Sequence, residues 1–506
     1  LETFILGDGW MVVESQRRDS ARIDRVVREI LPTYIARQRW FGPKDARITH
    51  VTPERMGEIP QEGQESFLLL LGNVALQDGG AQRYLIPLEL AWGEESLRHD
   101  SPLLPYIIGK IRRGSRSGIV FDAAHGDRFP RALLLAMRTH TTLPAIGGSF
   151  RFGATEKLRE LDMSEPLEIR RVATGEHAHT VRTLGDEVVL KMARRLRSGV
   201  DPGIEMGHFL ARSGFANSPA LFGTLELVNN SGTPTALAVA FEYVRNQGDG
   251  WSVVVDALDR ELEDETLAGS AEDRGLPYSL TLIETIGRRT GELHRALAGA
   301  DPEDAAFAPE PVTAADLVVW LRRALAHANA AFESLETLPD TTDQETLQLV
   351  EKLLTLREAM VRRIETLVPA IPRGNKLRLH NDYHLAKVLV SANDIYIIDF
   401  EGEPDRPVEE RRQKAPASRD IATMLRSFDY AARTAMDRQR QRGATQLEDI
   451  EARGMNWRSL AERRFLRAYG MARDDSTGGS HLAGGELLPL FLADKLFEEI
   501  LYEGAN

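Results

Sequence analysis

Two neighbouring stretches of the sequence decide the fold, LHNDYHLAKVLV at residues 379–390 and IYIIDFEGE at residues 395–403. Asp382 lies in the polar turn before the first apolar strand, and Asp399 lies at the end of the second. Phosphoryl transfer needs one carboxylate that orients and deprotonates the acceptor hydroxyl. It needs another that holds the magnesium ion bridging the phosphates. A loop carboxylate beside a strand-end carboxylate therefore predicts this chemistry.

The spacing of these residues is close to the kinase pattern H-x-D-x-x-x-x-N followed by D-F-G. His380 and Asp382 supply the first two positions, and residues 399–401 read Asp-Phe-Glu in place of D-F-G. Lys387 stands where the pattern has the asparagine that holds a metal ion. The pattern predicts a kinase fold, and Lys387 leaves open whether the metal site is complete.

Asp399, Glu401 and Glu403 alternate with other residues, so on a continuing strand their side chains would share one face. Carboxylates that converge repel one another unless a cation lies between them or water surrounds them. We predict a metal site at Asp399 and Glu401, the alternative being a strand end exposed to solvent. A glycosidase with two catalytic carboxylates is disfavoured, because no acid partner and no sugar-stacking pattern accompanies these residues.

Lys191 ends the apolar strand Val-Val-Leu-Lys, in the manner of the V-A-I-K lysine that neutralises the α- and β-phosphates of a nucleotide. The helix that follows is predicted to begin at Asp201-Pro202, with the aspartate as N-cap. Glu205 on this helix is then placed to pair with Lys191. The alternative is an exposed lysine and a solvated glutamate. The order of Lys191, Asp382 and Asp399 along the chain favours a phosphate-binding Lys191 that is paired with Glu205.

Two histidines, His380 and His384, flank Asp382. We predict that His380 orients the catalytic loop and that His384 lies near the acceptor, although a lone loop histidine is more often structural. Two further histidines in the stretch EHAHTV at residues 176–181 have no evident third partner for zinc. We interpret this stretch, which includes Thr180, as a loop that covers the phosphates.

Length and composition exclude several classes of function. The 506 residues suffice for about three domains. The chain has no cysteine, which excludes disulfides and thiol catalysis and fits a cytoplasmic protein. A net charge of −13 argues against nucleic acid and anionic lipid as partners, and no apolar run approaches the roughly 18 residues of a membrane span. There is no Walker A sequence, which excludes P-loop kinases.

The chain divides into a strand-rich part and a helical part. We predict an N-terminal α+β domain over residues 1–140, a β-rich lobe over 141–245 and a mostly helical lobe over 246–506. In the last lobe, helices are predicted at about 251–263, 280–298, 313–335, 342–368, 418–435, 457–470 and 485–503. The backbone of Glu242, Tyr243 and Val244 is predicted to hold adenine at the hinge between the lobes.

Several short motifs resemble the maltokinases, which are members of the aminoglycoside-phosphotransferase-like kinases. The resemblance rests on these stretches: residues 37–42 (RQRWFG), 189–191 (VLK), 205–210 (EMGHFL), 246–249 (NQGD), 291–294 (GELH), 399–407, 419–420 (RD) and 425–430 (LRSFDY). It runs along almost the whole chain, and it implies an α+β bilobal protein-kinase-like fold with an extra N-terminal cap domain.

The resemblance also implies an activity. Such kinases use ATP and Mg²⁺ to phosphorylate the anomeric hydroxyl of maltose, and the product, maltose 1-phosphate, feeds trehalose and α-glucan (glycogen) metabolism. A related glucoside is the alternative acceptor. The opening residues Glu2-Thr3-Phe4 resemble the junction of trehalose synthase–maltokinase fusions. Since the sequence does not begin with Met, we expect it to be the C-terminal part of such a fusion, with trehalose synthase as its partner.

The sequence departs from the family pattern at the phosphates and the metal. The catalytic loop of such kinases usually reads H-G-D-Y-H-L-G-Q, and here Asn381, Ala386 and Lys387 replace the two glycines and the glutamine. A lysine ammonium cannot ligate magnesium, but it can neutralise phosphate as a point charge. Two hypotheses therefore stay open: a sugar kinase in which Lys387 contacts nucleotide, and a catalytically weakened kinase fold that binds or scaffolds trehalose synthase.

Overall fold

A computed structural model describes residues 3–5, 26–42, 47–61, 65–93, 101–172, 179–263, 277–338, 344–404, 406–444, 446–473 and 485–504. Within these ranges the chain forms two compact units. The first comprises residues 1–208 and 219–244, and the second comprises residues 209–218 and 245–506. No helix in the described ranges combines the length and the apolar character that crossing a membrane requires.

The strands of the first unit are β1 Thr3–Ile5, β2 Ile48–Ile59, β3 Phe67–Leu76, β4 Ala81–Trp92, β5 Ile107–Arg113, β6 Arg116–Asp122, β7 Thr142–Ala145, β8 Gly148–Ala154, β9 Ile169–Arg171, β10 His179–Leu184, β11 Val188–Ala193, β12 Arg195–Leu196, β13 Leu221–Asn229 and β14 Pro234–Glu242. Its helices are α1 Leu31–Ala36, α2 Arg128–Arg138 and α3 Glu156–Glu160, with a π-helical turn Val26–Ile30 before α1. Helix α4, Pro202–Ser213, begins in this unit.

Two sheets form the framework of the first unit. The first has the strand order β1-β5-β6-β4-β3-β2, with β12 also paired to β4, and the second has the order β7-β8-β13-β14-β11-β10-β9. Residues 67–71 of β3 are buried on both faces, which explains their continuous apolar run (Phe-Leu-Leu-Leu-Leu). Phe67, Leu69 and Leu71 share one core with the second sheet and α2, whereas Leu68 and Leu70 pack with α1.

The predicted boundary between the cap and the β-rich lobe lies inside this unit. The second sheet begins at Thr142, and its residues Phe150, Leu190 and Leu237 belong to the same core as Phe67 of the first sheet. A division at residue 140 therefore separates the two sheets but not their core. The two compact units are observed, and the division into three domains stays a proposal.

The second unit is mostly helical. Its helices are α5 Gly250–Glu263, α6 Tyr278–Ala298, α7 Ala314–Leu335, α8 Gln344–Thr355, α9 Arg357–Glu365, α10 Val408–Arg411, α11 Ser418–Gln441, α12 Leu447–Arg473 and α13 Leu488–Gly504. Its strands are β15 Glu310–Pro311, β16 Asn375–Lys376, β17 Val388–Ser391 and β18 Asp394–Ile397. The hairpin β17-β18 lies within this helical unit and presents the two stretches that decided the fold from sequence.

Three predicted helices differ from those observed. The helix predicted at 418–435 continues to Gln441. The single helix predicted at 342–368 is two helices, because the amide of Leu356 donates three residues back to the carbonyl of Leu353 and so ends α8. The helix predicted at 457–470 begins earlier, at Leu447. Its first turns bury little beyond Ile450 and Gly454, which left too weak an apolar periodicity to recognise.

A buried ion pair joins the two sheets of the first unit. Arg194 and Asp122 are both 0% exposed, and their Nη1 and Oδ2 atoms lie 2.9 Å apart. The Tyr34 hydroxyl donates to the same Oδ2 at 2.7 Å, and Arg194 Nε donates to Thr180 Oγ1 at 2.7 Å. Each charge is thus matched by neighbours, which is the condition under which a buried pair is tolerated.

We expect Asp122→Ala to lower the free energy of unfolding of this unit by about 3–5 kcal/mol, because it leaves a buried guanidinium without its counter-charge. Urea denaturation followed by circular dichroism measures the change. Glu168→Ala is the matched control, since Glu168 pairs with Arg170 at the surface. Equal effects of the two substitutions would show that the Arg194–Asp122 pair does not hold the sheets together.

Candidate active site

The loop before β17 is fixed by one buried carboxylate. Asp420, in the first turn of α11, is 1% exposed. Its Oδ2 accepts a hydrogen bond from the amide of His380 and its Oδ1 one from the amide of Asn381, both at 3.0 Å. His294 Nε2 lies 3.3 Å from the same Oδ2. These hydrogen bonds hold the pKa of Asp420 below its usual value against the effect of burial.

The residue before Asp382 adopts an unusual backbone conformation. Asn381 has φ +61°, in the left-handed region that asparagine tolerates better than most residues. Its side-chain amide donates to the carbonyls of Arg411 and Gln413 at 3.0 and 3.2 Å. Asparagine therefore serves here in place of the glycine usual in the family loop. The turn that results directs the backbone from buried His380 to half-exposed Asp382.

His380 is a structural element of this loop. It is 1% exposed, and its Nε2 donates to the carbonyl of Ile398 at 2.8 Å. Burial lowers the pKa of His380, so the ring is neutral at pH 7. Its ring also packs on Phe400, with 4.7 Å between the ring centroids. His380 therefore contacts the residues on both sides of Asp399, which makes it a positioning residue.

The structure brings Asp382, Asp399 and Lys387 together. Lys387 Nζ lies 3.6 Å from Asp382 Oδ2 and 3.6 Å from Asp399 Oδ2. The lysine is 8% exposed and ends a short 3₁₀ turn, Leu385–Lys387, whose geometry is fixed by a hydrogen bond from its amide to the carbonyl of His384. An ammonium thus lies between the two carboxylates that the sequence singled out. This arrangement neutralises repulsion between them.

The expectation that Asp399, Glu401 and Glu403 lie along one strand is wrong. Strand β18 ends at Ile397, and Asp399 then adopts a left-handed conformation with φ +63°. A turn follows, in which Gly402 has φ +70°. Glu403 forms an ion pair with Arg406, which also contacts Glu498 at 2.6 Å. The turn breaks the alternation, so Glu403 neutralises an arginine and does not join Asp399.

His384 lies beside the carboxylate of Asp382. Its Nε2 is 3.6 Å from Asp382 Oδ1. Burial, and next the Lys387 ammonium, lower the pKa of His384 to about 3. A ring that is neutral at pH 7 can accept or donate a hydrogen bond near an acceptor hydroxyl, but it adds no positive charge to the site.

The acidic residues of the site fit a magnesium ion that is held partly by the phosphates of the substrate and by water. Across the described ranges, no group of three or more His, Asp or Glu side chains is arranged to hold a metal ion. Magnesium is usually held in such sites by one or two carboxylates together with the substrate phosphates and water. Asp399 fits that requirement. Lys387 occupies the space between the carboxylates that a second cation would need.

Apart from Lys387, the residues predicted to bind nucleotide lie in the first unit. Lys191 is on β11, where its backbone pairs with Val181 of β10 and Val239 of β14. Glu205 lies in the first turn of α4, whose N-cap is Asp201, as predicted, because Asp201 Oδ1 accepts from the amides of Gly203 and Ile204.

Thr180 has a different environment from the one predicted. It faces Met192 across the β10-β11 ladder, so its side chain lies on the face opposite that of Lys191. Its hydroxyl accepts the hydrogen bond from buried Arg194. Residues 176–178 of the predicted phosphate loop lie outside the described residues.

The predicted adenine-binding segment follows β14. The Glu242 amide donates to the carbonyl of Ala220 at 2.9 Å, and the Tyr243 amide donates to the carbonyl of Glu187 at 2.8 Å. Both amides therefore stabilise the sheet. Adenine binding by this segment stays a prediction.

Sequence reasoning gave no role to several residues that fix the loop. Asp420 and His294 were noted only within family motifs, and Tyr383 and Thr290, whose hydroxyls lie 2.8 Å apart, were not singled out. The available signal was the presence of polar residues at core positions of α6 and α11. Buried polar groups require partners, and the loop supplies them.

The strand-rich unit, the helical unit and the carboxylate-bearing loop define a kinase-like phosphotransferase. Residues 168–462 match the phosphotransferase enzyme family, and residues 34–126 match the maltokinase N-terminal cap domain. The first match spans more than half of the sequence, and the chain belongs to the phosphotransferase enzyme family. The predicted α+β kinase-like fold with an N-terminal cap domain is confirmed, as is the resemblance to maltokinase-like members of this family.

Two relatives are glucosamine kinases. The chain is 26% identical over 290 residues to the enzyme of Streptacidiphilus jiangxiensis, covering 56% of this chain and 58% of that one. It is 27% identical over 250 residues to the enzyme of Mycolicibacterium smegmatis (strain ATCC 700084 / mc(2)155), covering 49% and 56%. The chain thus matches little more than half the length of either relative.

Solved structures of glucosamine kinase share the fold. One, a complex with glucosamine, ADP and inorganic phosphate, has a TM-score of 0.63 at 21% identity, covering 96% of this chain and 95% of that one. Another crystal form has a TM-score of 0.65 at the same identity and coverage. At this identity the likeness concerns the fold.

We expect Lys387→Gln to tighten Mn²⁺ binding by about tenfold or more in the presence of ADP. The substitution removes a positive charge 3.6 Å from both carboxylates, and that charge repels a second cation. Electron paramagnetic resonance of free Mn²⁺ measures the affinity. The control is Lys376→Gln, which breaks a lysine–carboxylate pair with Asp316 elsewhere in the unit. An unchanged Mn²⁺ affinity in Lys387→Gln would contradict the role of the ammonium as a cation substitute.

His294 predicts a pH dependence of stability. It is fully buried, and burial lowers its pKa. Below about pH 6.5 the unfolded chain therefore binds a proton that the folded chain does not, and stability falls as the pH falls. Because the unfolded imidazole is half protonated at pH 6.5 and almost fully protonated at pH 5, we expect His294→Gln to reduce the slope by up to about 1.4 kcal/mol per pH unit toward the acidic end of this range. Urea midpoints across this range measure it, with His50→Gln, at an exposed site, as the control. An unchanged slope would contradict the assignment.

Proposed function

We propose that this protein is an ATP-dependent sugar kinase. The observation that supports the proposal most is the convergence of Asp382 and Asp399 on Lys387, on a loop whose amides are fixed by Asp420. In phosphoryl transfer, a protein contributes mainly positioning and electrostatic stabilisation. A rigid loop with two carboxylates supplies both.

Each residue of the loop then has a role. Asp382 orients the acceptor hydroxyl and takes its proton, and neutral His384 lies beside it to hydrogen-bond the acceptor. Asp399, with Glu401 following it on the turn, would hold Mg²⁺, which when bound neutralises charge on the β- and γ-phosphates. Lys387, 3.6 Å from both aspartates, would contact a phosphate oxygen as a point charge.

The nucleotide is assigned to the first unit. Lys191 on β11 would neutralise the α- and β-phosphates, and Glu205 on α4 would hold the lysine in place. The backbone after β14, from Glu242 to Val244, would receive adenine. The glucosamine kinase structure with ADP supports nucleotide binding by this fold. Thr180 is left out of this assignment, because its hydroxyl is bonded to Arg194.

The acceptor we propose is maltose, phosphorylated at its anomeric hydroxyl to maltose 1-phosphate for trehalose and glycogen metabolism. The maltokinase cap domain over residues 34–126 supports maltose. The relatives named glucosamine kinase support glucosamine as the competing acceptor. Trehalose synthase remains the proposed partner, on the resemblance of the opening residues to the fusion junction.

The same ammonium also favours a second candidate function. If Lys387 occupies the position of a required metal ion, the chain would be a weakened kinase fold that binds or scaffolds trehalose synthase. The 3.6 Å contacts to both aspartates supply the specific observation for this reading. The two candidates differ in what removal of the ammonium does to catalysis.

Mass spectrometry of sugars after incubation with ATP and Mg²⁺ tests the proposal, with maltose and glucosamine supplied separately. We expect a product heavier by one phosphate from maltose, reduced at least about 100-fold in Asp382→Asn because the acceptor proton has no base. In Lys387→Gln we expect a lower rate, because a phosphate contact is lost.

The remaining outcomes separate the alternatives. Product from glucosamine and none from maltose would keep the kinase and change the acceptor. A higher rate in Lys387→Gln would identify an impaired metal site. No product with either sugar, even with Mn²⁺ in place of Mg²⁺, would overturn the kinase proposal in favour of the binding module.

A further inference from the structure

A large cavity lies in the first unit, apart from the residues assigned to catalysis. Its volume is about 1020 Å³, at the upper end of the range for small-molecule sites. Its described lining comes from three parts of the unit: α1 and the residues on either side of it, residues 104–108 with His125, and residues 171–172 and 179–182. The described lining includes the arginine- and tryptophan-containing stretch 37–40, to which the proposed function gives no role.

The charge of this cavity is strongly positive. Among the described lining residues are four arginines, Arg37, Arg39, Arg171 and Arg182, against a single carboxylate, Glu29. Arg182 is only 4% exposed. Burial, and next the neighbouring guanidiniums of Arg171 and Arg194, lower the pKa of Arg182 to about 10. A buried guanidinium held near others of like charge is a site at which an anion binds favourably.

The hydrogen-bond donors here outnumber the acceptors. Arg182 Nη2 lies 3.2 Å from His125 Nδ1, and Arg194 Nη2 lies 3.1 Å from His125 Nε2. Burial and the surrounding arginines keep His125 neutral by lowering its pKa. A neutral imidazole has one acceptor nitrogen, so one of the two guanidinium groups faces a ring N–H. That donor requires an acceptor which His125 does not provide.

The Trp40 indole is part of the cavity wall. Trp40 is 6% exposed and lines the cavity, and its Nε1 is buried without a hydrogen-bond partner among the described residues. A buried donor without a partner is unusual in folded proteins. Because this nitrogen has no surface open to the cavity, the indole closes the cavity wall and does not itself reach a ligand.

Flat ring surfaces accompany the donors. The rings of Tyr106 and His125 are stacked, with 3.4 Å between centroids and an interplanar angle of 6°. The Arg171 guanidinium lies 5.4 Å from the centroid of Tyr106. Aromatic faces in ligand pockets bury the apolar faces of ring-shaped ligands, while the few polar groups fix their orientation.

We propose that this cavity binds a ligand with a phosphate group, and that a sugar phosphate is the ligand that uses the whole cavity. The arginines bind the phosphate oxygens, and the stacked side chains of Tyr106 and His125 line the space that the sugar ring occupies. Free inorganic phosphate shares the anionic chemistry but leaves most of the volume unused. This site is separate from the proposed nucleotide anchor, because neither Lys191 nor Glu205 lines the cavity.

Isothermal titration calorimetry of the full chain with glucose 1-phosphate tests the proposal, and inorganic phosphate is the second probe. We expect glucose 1-phosphate to bind, and to bind about tenfold or more weakly to Arg171→Gln, which removes a guanidinium from the lining. Arg170→Gln is the matched control. Arg170 neighbours Arg171 on β9 but pairs with Glu168 at the surface. Lys191→Met controls for binding at the nucleotide anchor.

The outcomes are distinct. Binding that survives Arg170→Gln and Lys191→Met but weakens in Arg171→Gln supports the site. Equal affinity for inorganic phosphate would support the anion site and assign free phosphate as its source. Absence of heat with both probes would overturn the proposal. Binding of glucose 1-phosphate that is lost in Lys191→Met and retained in Arg171→Gln would also overturn it, since the sugar phosphate would then occupy the nucleotide anchor.

Discussion

The contact between Asp420 and the amides of His380 and Asn381 is the constraint on which the site depends. Asp382 and Asp399 can act together only if the loop and the turn keep a fixed separation, and neither belongs to a long element. The Asp420 carboxylate, in the first turn of α11, accepts two hydrogen bonds of 3.0 Å from the loop before β17 and so makes this short irregular segment rigid. His380 then links the loop to the turn through the carbonyl of Ile398.

At this site, Lys387 is the residue that distinguishes this chain from the family pattern. In the family pattern the corresponding residue holds a metal ion at the phosphates, whereas here we propose that the Lys387 ammonium supplies that charge. A covalently attached cation needs no free ion, but it carries one charge and has no coordination shell. Under this proposal the site works with a smaller positive charge than a pair of magnesium ions provides.

Much of the fold was predictable, because the signals that specify it are local. The kinase-like fold followed from the spacing of Asp382 and Asp399, and the start of α4 followed from Asp201-Pro202. The path of the chain after Ile397 was not predictable, because the alternation of Asp399, Glu401 and Glu403 mimics a strand. A left-handed residue at a non-glycine position leaves no mark in sequence. The roles of Asp420 and Arg194 were equally hidden, since they depend on partners distant in the chain.

The two sheets of the first unit share one core, and this limits where the chain can be divided. Phe67, Leu69 and Leu71 of the first sheet lie against Phe150 and Leu190 of the second without a layer of polar residues between them. A gene fragment that began at residue 141 would encode a sheet with one apolar face open to water, and such faces promote aggregation. The two sheets are halves of one hydrophobic core, so an exchange of residues 1–140 for another sequence must preserve the packing between them.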